Sequence, residues 1–181
     1  MLDPLVNQLI AISLGLLFLT ASVHKLSGFA TFSRQLREYR LLPESLVVPA
    51  SAGIVIAELA LGAGWLFWSG NFIVAAASVV LLGSYALAIA INIRRGRIHI
   101  DCGCTLGSEN SPPLSSGLVI RNLVLIGAAL VAALPTRPRE LAVGDYTTLG
   151  AGILVLLLLY AATNQLLANH AAMGTWRSRD E

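Results

Sequence analysis

Residues 47–68 read VVPASAGIVIAELALGAGWLFW and residues 72–93 read FIVAAASVVLLGSYALAIAINI, with only Ser69-Gly70-Asn71 between them. At about 1.5 Å per helical residue each run reaches about 33 Å, enough to cross a hydrocarbon core of about 30 Å. Backbone amides inside lipid must be satisfied within their own segment, so runs of this length predict transmembrane helices. The three-residue small polar turn, with Trp65 and Trp68 beside it, predicts a tight hairpin at one membrane surface. Glu58 is the one charge inside the pair of runs.

Outward from the hairpin the same pattern repeats. Leu5–Val23 is a first apolar run that ends in His24 and Lys25, which can reach the headgroups by snorkelling. No Lys or Arg precedes it, so the basic region of a cleavable signal peptide is missing and the run is expected to stay as a helix over about 5–24. Residues 26–46 are too polar to span. Phe29, Phe32, Leu36 and Tyr39 recur at spacings of three and four while Arg34, Arg37 and Arg40 take other positions, which predicts a short amphipathic helix lying in the interface. Beyond the hairpin come Arg94, Arg95 and Arg97, a polar loop, then Pro112-Pro113 and a fourth apolar run over about 115–134. A link with Pro135, Pro138 and Asp145 leads to a fifth, about 146–167, and the tail after Asn169 is expected to fray. No internal repeat is evident.

The fold expected is all-α: a polytopic membrane helical bundle with a four-helix core, a fifth transmembrane helix and a short interfacial helix between the first two. Residues 1–181 are expected to form one integral membrane domain, for 56% apolar and 12% charged residues with a mean hydropathy of +0.74 exclude an ordinary soluble domain. A net charge of +2 and a pI near 8.8 give no footprint for nucleic acid.

Five crossings place the amino terminus, the 69–71 turn and the 135–145 link on one face, and the 26–46 segment, the polar loop and the tail on the other. Lys25, Arg34, Arg37, Arg40, Arg94, Arg95, Arg97, Arg177 and Arg179 belong to the second face, against Arg137 and Arg139 on the first. Counted alone, these charges make the loop face cytoplasmic. The chemistry of the loop pulls the other way.

That loop, His99-Ile100-Asp101-Cys102-Gly103-Cys104-Thr105-Leu106-Gly107, holds both cysteines of the chain. A Cys-Gly-Cys disulfide closes a ring that ordinary disulfide geometry fits poorly, with glycine best able to bend between the sulfurs. Such a bond is easily reduced and constrains almost nothing, so it would act as an oxidant or relay and not as a staple. Arg94, Arg95, Arg97 and His99 would favour thiolate; Asp101 opposes them or accepts a proton. The alternative is a metal site built from His99, Cys102 and Cys104, although the spacing is unlike that of paired structural zinc motifs. Inert thiols are the third reading. An exposed reactive thiol pair favours the extracytoplasmic face of the cytoplasmic (inner) membrane, and the assignment leans there against the charge count.

Several polar residues fall inside or at the ends of apolar runs. Glu58 counts to about 16 Å below the loop face and Arg121 to about 9 Å, so a long arginine side chain can bridge the difference. Glu58 must be protonated, paired or facing a cavity, and a Glu58–Arg121 pair is expected, either locking two helices or handling protons beneath the loop. Disulfide formation releases two electrons and two protons, for which a quinone is the natural acceptor in a membrane; His24, Lys25, Asn92 and Arg121 are candidates to line its pocket. As plain structure, His24, Lys25 and Asn92 are interfacial anchors or helix ends. Asn122 points about 100° from Arg121 and is expected to bond a neighbouring helix. Gly53, Ala57, Gly62 and Gly64 predict close helix packing.

The stretch from Asn92 to Gly107, with Arg95-Gly96-Arg97 running into His99-Ile100-Asp101-Cys102-Gly103-Cys104, resembles the signature of the MauE family of methylamine utilisation membrane proteins, within a broader DoxX-like group. Tyr39-Arg40-Leu41-Leu42-Pro43 and Arg121-Asn122 resemble it too, and the likeness covers the chain to about residue 134. Thr105-Leu106 stands where the family usually has an aromatic. The resemblance implies a helical-bundle thiol–disulfide oxidoreductase, similar in logic to DsbB and vitamin K epoxide reductase, with no metal expected. It implies a thioredoxin-like partner of the MauD type and a client such as the methylamine dehydrogenase small subunit. Cys102, Cys104, Asp101, Glu58 and Arg121 are then the catalytic candidates. Electron flow in either direction fits these parts, and so does a second class of function, a membrane anchor or chaperone with no redox turnover.

Overall fold

A computed structural model of the protein describes residues 1–97 and 114–177, the last eleven as backbone only. Six helices follow in order: α1 Pro4–Ser27, α2 Phe29–Glu38, α3 Glu44–Phe67, α4 Phe72–Arg94, α5 Ser116–Ala132 and α6 Val143–Arg177. The protein is a helical membrane bundle. α1, α3, α4 and residues 143–166 of α6 are each long and apolar enough to cross a membrane. α5 has 17 residues, about 25 Å, and the apolar Leu114, Ala133 and Leu134 extend it at both ends.

The helix ends follow from local chemistry. Asp3 accepts a 2.9 Å hydrogen bond from the Leu5 amide, and Pro4 takes the first helical position, where no N–H is needed. Asn71 caps α4 in the same way, accepting from the Ile73 amide at 2.8 Å. The turn before it needs Gly70 at φ 79°, a left-handed conformation that costs glycine nothing. At the far end of α4, Gly96 takes φ 70°, its N–H donating to the Ile93 carbonyl and the Arg97 N–H to that of Asn92, both at 3.0 Å. This paired closure satisfies the last carbonyls and leaves Arg94, Arg95 and Arg97 at the negative end of the helix dipole. α6 continues as helix to Arg177, so the segment expected to fray after Asn169 is helical backbone.

α1, α3, α4 and α5 make the four-helix core; α6 packs mainly on α1 from outside, and α2 packs on α3. Ala11, Leu14 and Phe18 of α1 meet Leu61 and Trp65 of α3, Ala75 and Leu82 of α4, and Ala129 and Ala132 of α5. Trp65, expected at the membrane surface, is instead fully buried, and its indole N–H donates to Ser78 Oγ at 2.9 Å; Trp68 remains exposed. Trp65 stands three residues before Trp68, almost a full helical turn deeper, and here its polar tip finds a partner inside.

The small residues set the spacing of α1 and α3. A Cβ on Gly62 would stand 2.7 Å from Leu19, and one on Gly15 would stand 2.9 Å from Leu66 and 3.2 Å from the Gly62 carbonyl. Gly53 lies exposed with nothing near it, so the packing expected there is absent. On α2 the aromatic face turns inward with Tyr39 buried, while Arg34, Arg37 and Arg40 are exposed. The apolar stripe assigned to the interface therefore also covers the bundle. Tyr39 joins Ile89, Leu114 and Leu118 in a second core cluster.

The amino-terminal face is closed by backbone and charge. Leu2 N–H donates to the Pro135 carbonyl and Arg137 N–H to that of Leu2, both at 2.9 Å. Arg139 holds Asp3 at 3.1 Å and Asp145 at 3.2 Å. The Leu5 amide, and then Arg139, hold the Asp3 carboxyl below its ordinary pKa, while hydrogen bonds to Asp3 and Asp145 raise that of Arg139. The 69–71 turn and the 133–142 link thus share the face on which α1 begins, as the crossing count requires.

Candidate functional site

The close approach at Gly15 and Gly62 fixes which residues of α1 and α3 stand level. Leu19 lies opposite Gly62, so about one and two-thirds turns further up α1 and about one turn back along α3 bring Lys25 and Glu58 together. Lys25 Nζ donates to Glu58 Oε1, and Tyr85 of α4 donates its hydroxyl to the same oxygen at 2.8 Å. Lys25 is 5% and Glu58 1% exposed, which makes this a desolvated ion pair with a phenol on it. The ammonium also stands 5.2 Å from the centre of the Phe32 ring and 4.9 Å from that of Tyr85. Two aromatic faces and one carboxylate replace the water that a lysine loses on burial.

The acidic partner expected for Arg121 has thus gone to another base. Glu58 counts about 21 Å from the start of α3, because α3 begins at Glu44, three residues before the apolar run that set the earlier depth. Arg121 Nη1 donates to Asn164 Oδ1 of α6 at 2.9 Å, and its guanidinium lies 5.9 Å from the Tyr160 ring centre. Asn122 donates to the Leu118 carbonyl of its own helix at 2.9 Å, not to a neighbour.

These groups still converge. Lys25, Glu58, Tyr85, Arg121, Asn122 and Asn164, with His24 at the rim, line one small chamber of about 60 Å³ among α1, α3, α4, α5 and α6. Asn92, expected with them, does not line it; buried beside the cap of α4, it donates to the Ala88 carbonyl at 3.0 Å. The chamber opens onto a larger apolar crevice of about 940 Å³ between α1, α5 and α6, with Leu17, Thr20, Arg121, Leu125, Tyr160 and Asn164 common to both. His99, Asp101, Cys102 and Cys104, and with them the metal alternative, lie outside the described residues.

Tyr85, Tyr160 and Asn164 escaped the sequence reading. A tyrosine in an apolar run reads as hydrophobic bulk, and Asn164 stands near the far end of a run whose partner helix was unknown. The only available signal was periodicity: Tyr160 and Asn164 are four apart and so share a face.

Residues 4–135, from the first residue of α1 through the end of the four-helix core, match the family described as Methylamine utilisation protein MauE. A methylamine utilisation protein MauE of Paracoccus versutus is 36% identical over 170 residues, covering 91% of this chain and 88% of that protein. That of Paracoccus denitrificans is 36% identical over 177 residues, covering 90% and 88%. The MauE of Methylophilus methylotrophus is 30% identical over 166 residues, covering 91% and 87%. No solved structure matches the chain. With a polar cluster set between the four-helix membrane core and α6 and a likeness that runs along nine-tenths of its length, the chain belongs to the MauE family.

Proposed function

We propose that this protein is a membrane thiol–disulfide oxidoreductase in which Cys102 and Cys104 exchange electrons with a thioredoxin-like partner of the MauD type, in support of methylamine utilisation. The observation that carries the reading is the charged chamber: a lysine, a glutamate, a phenol and an arginine kept from water in a lipid-embedded core, beneath the end of α4 from which the cysteine segment leaves. Packing alone has no need of such a cluster, since well-packed apolar residues of similar volume are often as stable.

The steps follow from thiol chemistry. A partner thiolate attacks one sulfur of the Cys102–Cys104 disulfide, giving a mixed disulfide and one free thiolate. The partner's second thiolate then displaces the remaining sulfur, so the partner leaves as a disulfide and Cys102 and Cys104 stay as thiols. Re-forming their bond releases two electrons and two protons. A quinone, if bound in the chamber by Lys25 and Arg121, would supply the acceptor for both. The chamber's donor set fits a carbonyl-bearing ring: Lys25 and Arg121 are the donors, and Glu58, paired with Lys25, can exchange a proton with the Tyr85 hydroxyl that donates to it. Asp101 serves as proton acceptor beside the cysteines. The partner works on the extracytoplasmic side, and its client is a disulfide-bearing protein such as the methylamine dehydrogenase small subunit.

The test is partner oxidation by the purified, lipid-reconstituted protein. Cys102→Ser and Cys104→Ser should each abolish it, with the mixed disulfide trapped in one of the two. Turnover retained in both single variants would end the mechanism; partner binding and cell function surviving in the double variant would make the protein an anchor.

A further inference from the structure

α6 touches the core at two levels and stands off between them. Near the amino-terminal face Gly152 sits against Leu9, where a Cβ would come within 3.0 Å; near the other end Asn164 accepts from Arg121 at 2.9 Å. Between these ties runs the crevice of about 940 Å³, walled by Ile10 and Leu14 of α1, Val124 and Ala128 of α5, and Leu156 and Leu157 of α6. Its walls are mostly aliphatic, with Ser13 partway along α1 and with Thr20, Arg121, Tyr160, Thr163, Asn164 and Gln165 gathered towards the end that leads into the polar chamber.

We infer that chamber and crevice are a single bipartite site for a long-chain isoprenoid quinone, the ring held at Arg121 and Lys25 and the tail laid between α1, α5 and α6. The inference rests on the proposed quinone-linked function and deepens it by naming which face of the bundle takes the acceptor and why the acceptor needs a tail.

Three observations select this occupant over a membrane phospholipid. Although Lys25 stands two residues before the end of α1, it is level with Glu58, about 21 Å along α3, and the chamber reaches Tyr85, about 14 Å from the end of α4, whereas a phosphodiester headgroup belongs at the membrane surface. At about 60 Å³ it has room for about four waters, the scale of one small ring and not of a glycerophosphate with its hydration. Finally, the described ionisable groups lining it are Lys25, Arg121, His24, Glu58, Tyr85 and Tyr160, with Glu58 the one carboxylate against two strong cations. That surplus of donors suits carbonyl oxygens, which only accept, and an oxygen that gains negative charge on reduction.

Binding can be read apart from turnover. The full chain carrying Cys102→Ser and Cys104→Ser, in phosphatidylethanolamine–phosphatidylglycerol nanodiscs, is photolabelled with an azido-quinone bearing a ten-carbon tail. The label should map to peptides 17–25 and 117–128, and a long-chain isoprenoid quinone should compete at least tenfold better than a tailless quinone. Val124→Trp, which fills the crevice, should shrink that preference at least fivefold. Labelling elsewhere, equal competition by long and tailless quinones, or displacement of the probe by added phosphatidylglycerol as effectively as by quinone would overturn the inference. Because the cysteines are absent, none of these outcomes touches partner oxidation. Conversely, a wild-type protein that labels as expected but never oxidises a partner dithiol would sink the proposed function and leave the quinone site standing.

Discussion

The ion pair between Lys25 and Glu58 separates structure from chemistry at single residues. Removing one member strands the other charge in a dry core, so Lys25→Met or Glu58→Leu should each lower stability by about 3–5 kcal/mol. Removing both should recover most of that loss, to within about 1 kcal/mol of the parent or above it. Chemical denaturation in detergent micelles reads the first effect, and partner oxidation should stay absent in all three variants. Recovery of turnover with stability would reduce the pair to a helix lock. Tyr85→Phe deletes a hydrogen bond to a carboxylate and should cost about 1.5–3 kcal/mol in the same assay. As individuals, Lys25 and Glu58 were legible because each is a charge at the end of, or within, an apolar run. Their pairing was not, since it depends on the level of α1 against α3. Arg121 looked the better partner for Glu58 only because its side chain is long and the start of α3 had been placed three residues late.

Among elements, glycine decides two geometries. Gly96 ends α4 in the left-handed region, so Gly96→Ala should cost about 1–2 kcal/mol and fray the last turn where Asn92 and the arginines sit. Amide hydrogen exchange at Arg95–Arg97 should rise in that variant; unchanged protection would mean that the cap is held by something other than its conformation. Gly62→Val would drive a side chain into Leu19 and part α1 from α3, costing about 1–3 kcal/mol. Fluorescence of the buried Trp65, one turn away, should shift on the same change. The spans and the amphipathic α2 could be read from apolar length and from the spacing of Phe29, Phe32, Leu36 and Tyr39. Which glycines serve contacts could not, because Gly53 and Gly62 look alike in sequence while only Gly62 faces another helix. Trp65 taught the same lesson: position near a turn does not say which way a ring points.

Across the whole molecule, the amino-terminal face is tied by Asp3, Arg139 and Asp145. The Asp3 carboxyl titrates below its ordinary value of 3.8 in the fold, so its stabilising effect is present above that pH and is lost as pH falls through the lowered value. Thermal unfolding of the parent should therefore soften more on acidification below about pH 4 than that of Arg139→Gln. Equal acid sensitivity in both would show that the clasp contributes nothing. This contact joins residues 136 apart, a proximity implied by counting crossings but not in its atomic form. The apolar spans were the most legible feature of the chain, whereas the outer crevice was invisible, because it exists only through the stand-off of α6.

α6 runs in the same direction as α1, with Gly152 against Leu9 near one face and Asn164 level with Thr20 nearer the other. Residues 4 and 177 therefore lie at opposite ends of the bundle, and the far end of α6 shares an end with Arg97. A reporter enzyme joined after Arg177, active only outside the cytoplasm, would disclose which side of the membrane the Arg97 end of α4 faces without touching a single sulfur.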